Sequence, residues 1–210
     1  MAVDTRKATA LLAVLAVGGR PQARSTLADL LWPDADPERA RSALRRTLST
    51  LRGALGEERL QTDRLNVELV LDGAFFDLAE FRRVAALPAA SVDELERAAA
   101  LARDDLLAGF TLRDSVEFDD WQRDIQEVVR REHAQLLDRL ADVLTAADRF
   151  DEAIVAARRR LELDRLHEPT HRRLIDLYAR AGRRGDALAQ YRACVLVLDR
   201  ELGVAPLSET

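Results

Sequence analysis

Six apolar positions in the C-terminal half of this chain recur after 34 residues: Leu140 and Leu174, Leu144 and Tyr178, Ala147 and Ala181, Ala153 and Ala187, Leu161 and Val195, and Leu163 and Val197. A fixed period of this size marks a supersecondary unit that cannot bury its apolar face alone and stacks on its neighbour. Thirty-four residues is the length of a tetratricopeptide-type helical hairpin, in which small residues such as Ala153 and Ala187 let the paired helices approach closely. The surrounding pattern agrees. Helical periodicity runs over residues 77–86, 92–108, 116–147, 150–163, 169–181 and 186–202, with glycine and proline falling between the segments. Repeats of this kind are scaffolds for binding and carry no chemistry of their own.

The first third reads differently. Residues 4–17 form a helix with Leu11, Leu12 and Leu15 as its main apolar contacts, stopped by Gly18 and Gly19. Ser25 is placed to cap a short helix over 26–31, which Trp32 and Pro33 close. Asp36 before Pro37 reads as an N-cap and first helical residue, because proline lacks only a donor that helix starts leave unpaired. From there Ala40, Leu44, Leu48, Leu51 and Leu55 make one apolar stripe to residue 55. Arg39, Ser42, Arg46, Ser49 and Gly53 point the opposite way, and Arg41, Arg45 and Arg52 line a flank. Between Arg39 and Arg52 there are five arginines and no acid. Residues 59–62 and 66–71 then alternate about a polar turn at Asp63 and Arg64, a β-hairpin.

Helix, helix, long helix, hairpin is the order of a winged helix-turn-helix, whose third helix enters the major groove while the wing reaches the flanking backbone or minor groove. The expected fold is therefore mainly α: a winged helix-turn-helix with a β-hairpin wing over 1–75, then an all-helical tetratricopeptide-like domain over 76–210. An arginine- and serine-rich helix face suits phosphate and base-edge contacts, since arginine offers a fixed fork of donors and serine a short one. The same composition also describes a solvated surface helix.

Charge distributes unevenly. The whole chain carries a formal −5. Residues 1–75 hold 11 basic against 10 acidic side chains, whereas 76–210 hold 21 against 27. The N-terminal third is the part suited to a polyanion. Lys7 is the single lysine. The one cysteine, Cys194, excludes an internal disulfide and fits a reducing cytoplasm. The apolar run 8–17 behind Arg6 and Lys7 is too short to span a membrane, and no Ala-x-Ala cleavage site follows, so a buried first helix is the better reading than a leader.

Two constellations imitate chemistry. His167-Glu168-Pro169-Thr170-His171 matches the zinc-protease string, but Pro169 suits a helix start and puts His167 in the preceding loop. Asp114, Glu117, Asp119, Asp120 and Asp124 cluster around Trp121. They read as a solvated helix start, with a polymerase-facing patch as the functional alternative. With no phosphate loop, nucleophile elbow or metal-spaced cysteine set, the expectation is no enzyme, no catalytic residues, no cofactor and no metal.

The strings LADLLWPDADPERARSALRRTLSTLRGAL and, after the hairpin, DLAEF resemble the DNA-binding half of the antibiotic-regulatory-protein-type activators. LLAGFTLRDSVEFDDWQRDIQEVVRREHAQLLDRLADVL and HEPTHRRLIDLYARAGRRGDALAQYRACVLVLDRELGVAP resemble their bacterial transcriptional activator domain. The resemblance implies a cytoplasmic bacterial regulator that binds double-stranded DNA at promoter repeats and contacts RNA polymerase, with no membrane association. By position it makes residues 37–55 the recognition helix and about 59–71 the wing. It also implies a small sheet ahead of the first helix and a continuation past Pro206, so both ends of the sequence read as cut from something longer. Arg39, Ser42, Arg45, Arg46 and Ser49 are expected at the groove, Arg41 and Arg52 at phosphates, and Arg64 on the wing. The helical half is expected to make homodimer or polymerase contacts. The competing expectation is a protein-interaction scaffold module without DNA binding of its own.

Overall fold

The computed structural model describes residues 5–210. The expected start of the first helix at Asp4 lies outside them. The described residues separate into two compact units: 5–80 with 104–128, and 81–103 with 129–210.

In the first unit, α1 (Thr5–Gly18) is followed by β1 (Gln22–Ala23), α2 (Arg24–Leu31), α3 (Pro37–Leu55), β2 (Leu60–Thr62) and β3 (Asn66–Leu69). The apolar stripe of α3 is its buried face: Ala40, Leu44, Leu48 and Leu51 join Leu11 and Leu15 of α1, Leu27 and Leu31 of α2, and Leu60 and Val67 of the strands in one core. Asp36 caps α3 as the sequence predicts, accepting the amides of Glu38 at 3.0 Å and Arg39 at 3.2 Å.

The hairpin is part of a larger sheet. Its strands pair antiparallel in the register Leu60 with Leu69 and Thr62 with Val67, and β1 adds to the other side of β3, giving the order β1-β3-β2. That third strand changes how α2 begins. Ser25 does not cap it; the helix starts at Arg24 after the extended Ala23, without a side-chain cap. The Arg24 amide donates to Leu65 O at 2.8 Å instead, so the wing turn satisfies the helix start that Ser25 was expected to serve.

Residues from beyond position 75 also join the first unit. Leu112 and Phe118 are buried in the core of the first unit. Ser115 Oγ donates to Leu30 O at 2.6 Å, and the buried Lys7 ammonium donates to Leu31 O while pairing with Asp114 at 3.0 Å. The last carbonyls of α2, which a helix leaves without partners of its own, are thus capped from two sides.

The second unit holds the end of α4 (Asp77–Ala85), α5 (Val92–Leu101), the larger part of α6 (Val116–Ala146), and α7 (Phe150–Leu163), α8 (Glu168–Arg180) and α9 (Arg184–Leu202). α5 opens on a capping box between Ser91 and Glu94. It is shorter than the helix expected over 92–108. Residues 102–115 are irregular, and within the first unit Gln122 and Gln126 of α6 donate to Leu107 O at 3.1 Å and Leu106 O at 2.7 Å, holding a stretch that composition alone favours as helix.

The 34-residue period is structural. Asp148 and Gly182 both adopt positive φ, 56° and 74°. Arg149 N donates to Leu144 O at 2.9 Å, and Arg183 N to Tyr178 O at 2.8 Å. Arg149 pairs with Glu152 and Arg183 with Asp186, each through Nε at 2.7 Å. All of these matched residues stand 34 apart, as do the buried pairs Leu140 and Leu174, Leu144 and Tyr178, and Ala153 and Ala187. The turn between paired helices is therefore built twice from the same bonds.

Candidate nucleic-acid interface

With its stripe buried, α3 turns its remaining side chains outward. Arg39, Arg41, Arg45, Arg46 and Ser49 are exposed and Ser42 is half-buried. Three of these side chains make local contacts. Arg39 pairs with the capping Asp36 at 3.2 Å, an exposed contact that contributes little. Arg45 Nη2 donates to Ser42 Oγ at 2.9 Å, which commits the serine hydroxyl as an acceptor and leaves its hydrogen for an outside acceptor.

Arg52, expected at a phosphate, is placed differently from the exposed arginines of α3. It is half-buried and donates through Nη2 to Thr62 Oγ1 of β2, while its buried Nε has no partner. Its position one turn before the end of α3 brings it to the sheet, where it ties α3 to β2.

The wing turn is rigid for a chemical reason. Asp63 Oδ1 accepts the amides of Leu65 at 2.6 Å and Asn66 at 2.7 Å, and these donors hold its carboxyl below the usual range. Arg64 and Leu65 project from that turn; Leu65 is 70% exposed.

Between α3, the start of α2 and the wing lies a groove of about 520 Å³ lined by Arg24, Ser25, Arg41, Leu44, Arg45, Asp63, Arg64 and Leu65. Four arginines converge there against one carboxylate. Arg41, Arg45 and Arg64 come from the predicted set; Arg24 and Ser25 were missed. The signal for Arg24 was its place at a helix start, but Arg24 joins the wing only because β1 pairs with β3. Its guanidinium donates to Asp63 O at 3.3 Å. Arg39, Arg46 and Ser49 are outside this groove lining, on the exposed surface of α3.

The chemical look-alikes resolve into structure. His167 is the residue before α8 and its Nδ1 meets Thr170 Oγ1 at 2.8 Å. The buried His171 uses both ring nitrogens, Nε2 to Arg165 O at 3.0 Å and Nδ1 to Gln190 Nε2 at 2.7 Å. Among the described residues no group of His, Cys, Asp and Glu is arranged to hold a metal ion. In the acidic cluster, Asp114 pairs with Lys7, Asp119 accepts the Leu112 amide at 3.0 Å and Asp120 pairs with Arg123 at 2.8 Å. Trp121 packs against the first unit's core, 5.3 Å from Phe118. Cys194 is fully buried, and burial pushes its thiol up, away from the reactive thiolate.

The model of the bacterial transcriptional activator domain matches residues 72–210, and the chain belongs to that family of transcription activators. Its arrangement is that of the antibiotic-regulatory-protein-type regulators, a winged helix-turn-helix with a helical, tetratricopeptide-like activator domain. Among solved structures it is similar to Mycobacterium tuberculosis EmbR in complex with a low affinity phosphopeptide, with a TM-score of 0.68 and 23% identity. That likeness covers 100% of this chain, which spans 58% of the EmbR chain's length. No curated protein sequence matches. None of the described helices is long and apolar enough to cross a membrane.

Proposed function

We propose that the chain is a cytoplasmic, sequence-specific DNA-binding regulator that recognises promoter repeats and contacts RNA polymerase as an activator. The observation that carries this reading is the groove where Arg24, Arg41, Arg45 and Arg64 converge beside the outward face of α3. A helix fits the B-DNA major groove, and guanidinium forks match both phosphate and guanine edges. Arg39, Ser42, Arg45, Arg46 and Ser49 read base edges; Arg24, Arg41 and Arg64 hold phosphates. Arg52, bound to Thr62, keeps the wing at the angle the helix needs. The exposed acidic side chains near Trp121, Glu117 and Asp124, face the polymerase.

The test is fluorescence anisotropy with duplexes from the region upstream of the chain's own gene, titrated across salt. Specific binding that weakens steeply as salt rises, and that Arg45→Ala with Arg46→Ala abolishes, supports the reading. A chain that binds neither these duplexes nor any fragment selected from random sequence refutes it in favour of a pure interaction scaffold.

A further inference from the structure

We propose that Leu65, at the tip of the wing, is an apolar wedge that enters the minor groove beside the recognition site and selects a deformable base step there. The wedge depends on the DNA-binding reading above and supplies a selectivity that the arginines do not.

A single exposed leucine is ordinary on a protein surface, so exposure alone assigns nothing. Leu65 is set apart by how it is held. Its amide donates to Asp63 Oδ1 at 2.6 Å, and its carbonyl accepts the Arg24 amide at 2.8 Å. Both backbone groups of the residue are therefore committed, one within the turn and one to the start of α2. Asp63 closes the turn a second time by accepting the Asn66 amide at 2.7 Å, and the Arg24 guanidinium donates to the Asp63 carbonyl at 3.3 Å. The side chain of Leu65, 70% exposed, thus projects from a tip whose backbone has little left to adjust. A turn that meets only water favours glycine, asparagine, aspartate or serine at such a place. Fixing an apolar projection beforehand removes the ordering cost of using it to bind.

The surroundings of Leu65 identify what it meets. It lines the same groove as Arg24, Arg41, Arg45 and Arg64, with Asp63 as the one carboxylate. Cations around an apolar projection match a surface that sets negative charge beside apolar faces. Duplex DNA has that surface, with phosphates along the ridges and stacked bases between them. With α3 in the major groove, a hairpin beside it reaches the adjoining minor groove. Leucine has no donor or acceptor on its side chain, so Leu65 cannot read base edges by hydrogen bonds. It senses instead the cost of parting two stacked bases, which is lowest at pyrimidine–purine steps. Leucine is among the side chains that open such a step from the minor groove and kink the duplex.

The test uses the whole chain and the duplex it binds in the anisotropy titration, with a donor and an acceptor dye at the duplex ends. Flanking base steps are replaced one at a time by TA, CA, AA and GC. Expected are a bend of about 20° or more on binding, read from energy transfer, and a preference of about tenfold for a pyrimidine–purine step at one position. Leu65→Ala should remove both and leave the salt slope and the urea midpoint unchanged, because it deletes no charge and no buried side chain. Leu65→Met, which keeps an apolar side chain of similar reach, should retain both. Asp63→Ala, which frees the turn with Leu65 still in place, should weaken the step preference. Specific binding with the same bend and step preference in Leu65→Ala overturns the wedge and leaves the DNA-binding reading standing. So does an effect of Leu65→Ala that vanishes when uracil replaces thymine, since that contact is to a thymine methyl in the major groove. A chain that binds no DNA overturns both.

Discussion

α3 and α9 are each 19 residues long, and each buries one stripe of small and branched apolar side chains against its own unit. What they leave facing water differs. α3 presents Arg39, Arg41, Arg45, Arg46 and Ser49; α9 presents Leu188, Tyr191, Leu196 and Leu202. The inner stripes hold the two helices in place and say nothing about partners. The outer faces differ in chemistry, one rich in arginine and the other in apolar side chains.

The comparison breaks most visibly at the buried positions. Leu44→Ala on α3 removes a side chain that is 1% exposed and should cost about 2–5 kcal/mol in urea denaturation. Leu188→Ala on α9 should change stability by no more than about 0.5 kcal/mol. Equal losses at the two sites would show that the outward stripe of α9 is part of the fold.

Next in size is the loss of an outward arginine. Arg45→Ala should cost about 1–3 kcal/mol of DNA affinity and relax specificity at one base position, measured by anisotropy against a panel of single-base variants. Arg24→Ala should weaken all duplexes alike and reduce the salt slope by about 1. Unfolding midpoints should not move for either.

Asp36→Ala tests whether α3 depends on its cap. Loss of the two amide contacts should cost about 1 kcal/mol, read from the shift in the urea midpoint.

The last difference is absent at neutral pH and grows only on acidification. All three histidines lie in the second unit. His133, buried with its ring edge-on to Phe81, has its pKa lowered to about 4 by burial and by the nearby Arg159 charge. Because the unfolded histidine takes up a proton near its ordinary 6.5 and the folded one does not, stability falls as pH drops from about 6.5 towards 4. Urea midpoints across that window should decline for the native chain and decline less for His133→Gln. Parallel slopes would assign the pH dependence to other groups.

What the sequence made legible was whatever depends on local periodicity. The α3 stripe, its Asp36 cap, the hairpin and the 34-residue repeat all follow from spacing, and spacing is visible in one dimension. The misses share a different cause. β1 is two residues long and exists only because β3, more than 40 positions later, offers an edge. Residues 102–115 leave the helical pattern because Gln122 and Gln126 hold their carbonyls and because Leu112 and Phe118 are buried in the first unit's core. Arg52 looked like its neighbours on a helical wheel, yet the sheet beside it supplies Thr62. Arg24 was passed over because its surroundings are assembled by the same long-range pairing. Each miss is a contact between segments far apart in sequence, where propensity carries no information.

Lys7 has a practical consequence. The chain contains no other lysine, and this one is 1% exposed, with its ammonium engaged by Leu31 O and Asp114. An amine-directed acylating reagent reaches it only when α1 lifts from α2 and from the 104–115 segment. The acylation rate at Lys7, followed by peptide mapping, is therefore a clock for opening of the first unit. The same burial removes the side chain from enzymes that acetylate or ubiquitinate folded proteins, so control through lysine modification is closed to residues 5–210 while the first unit stays shut.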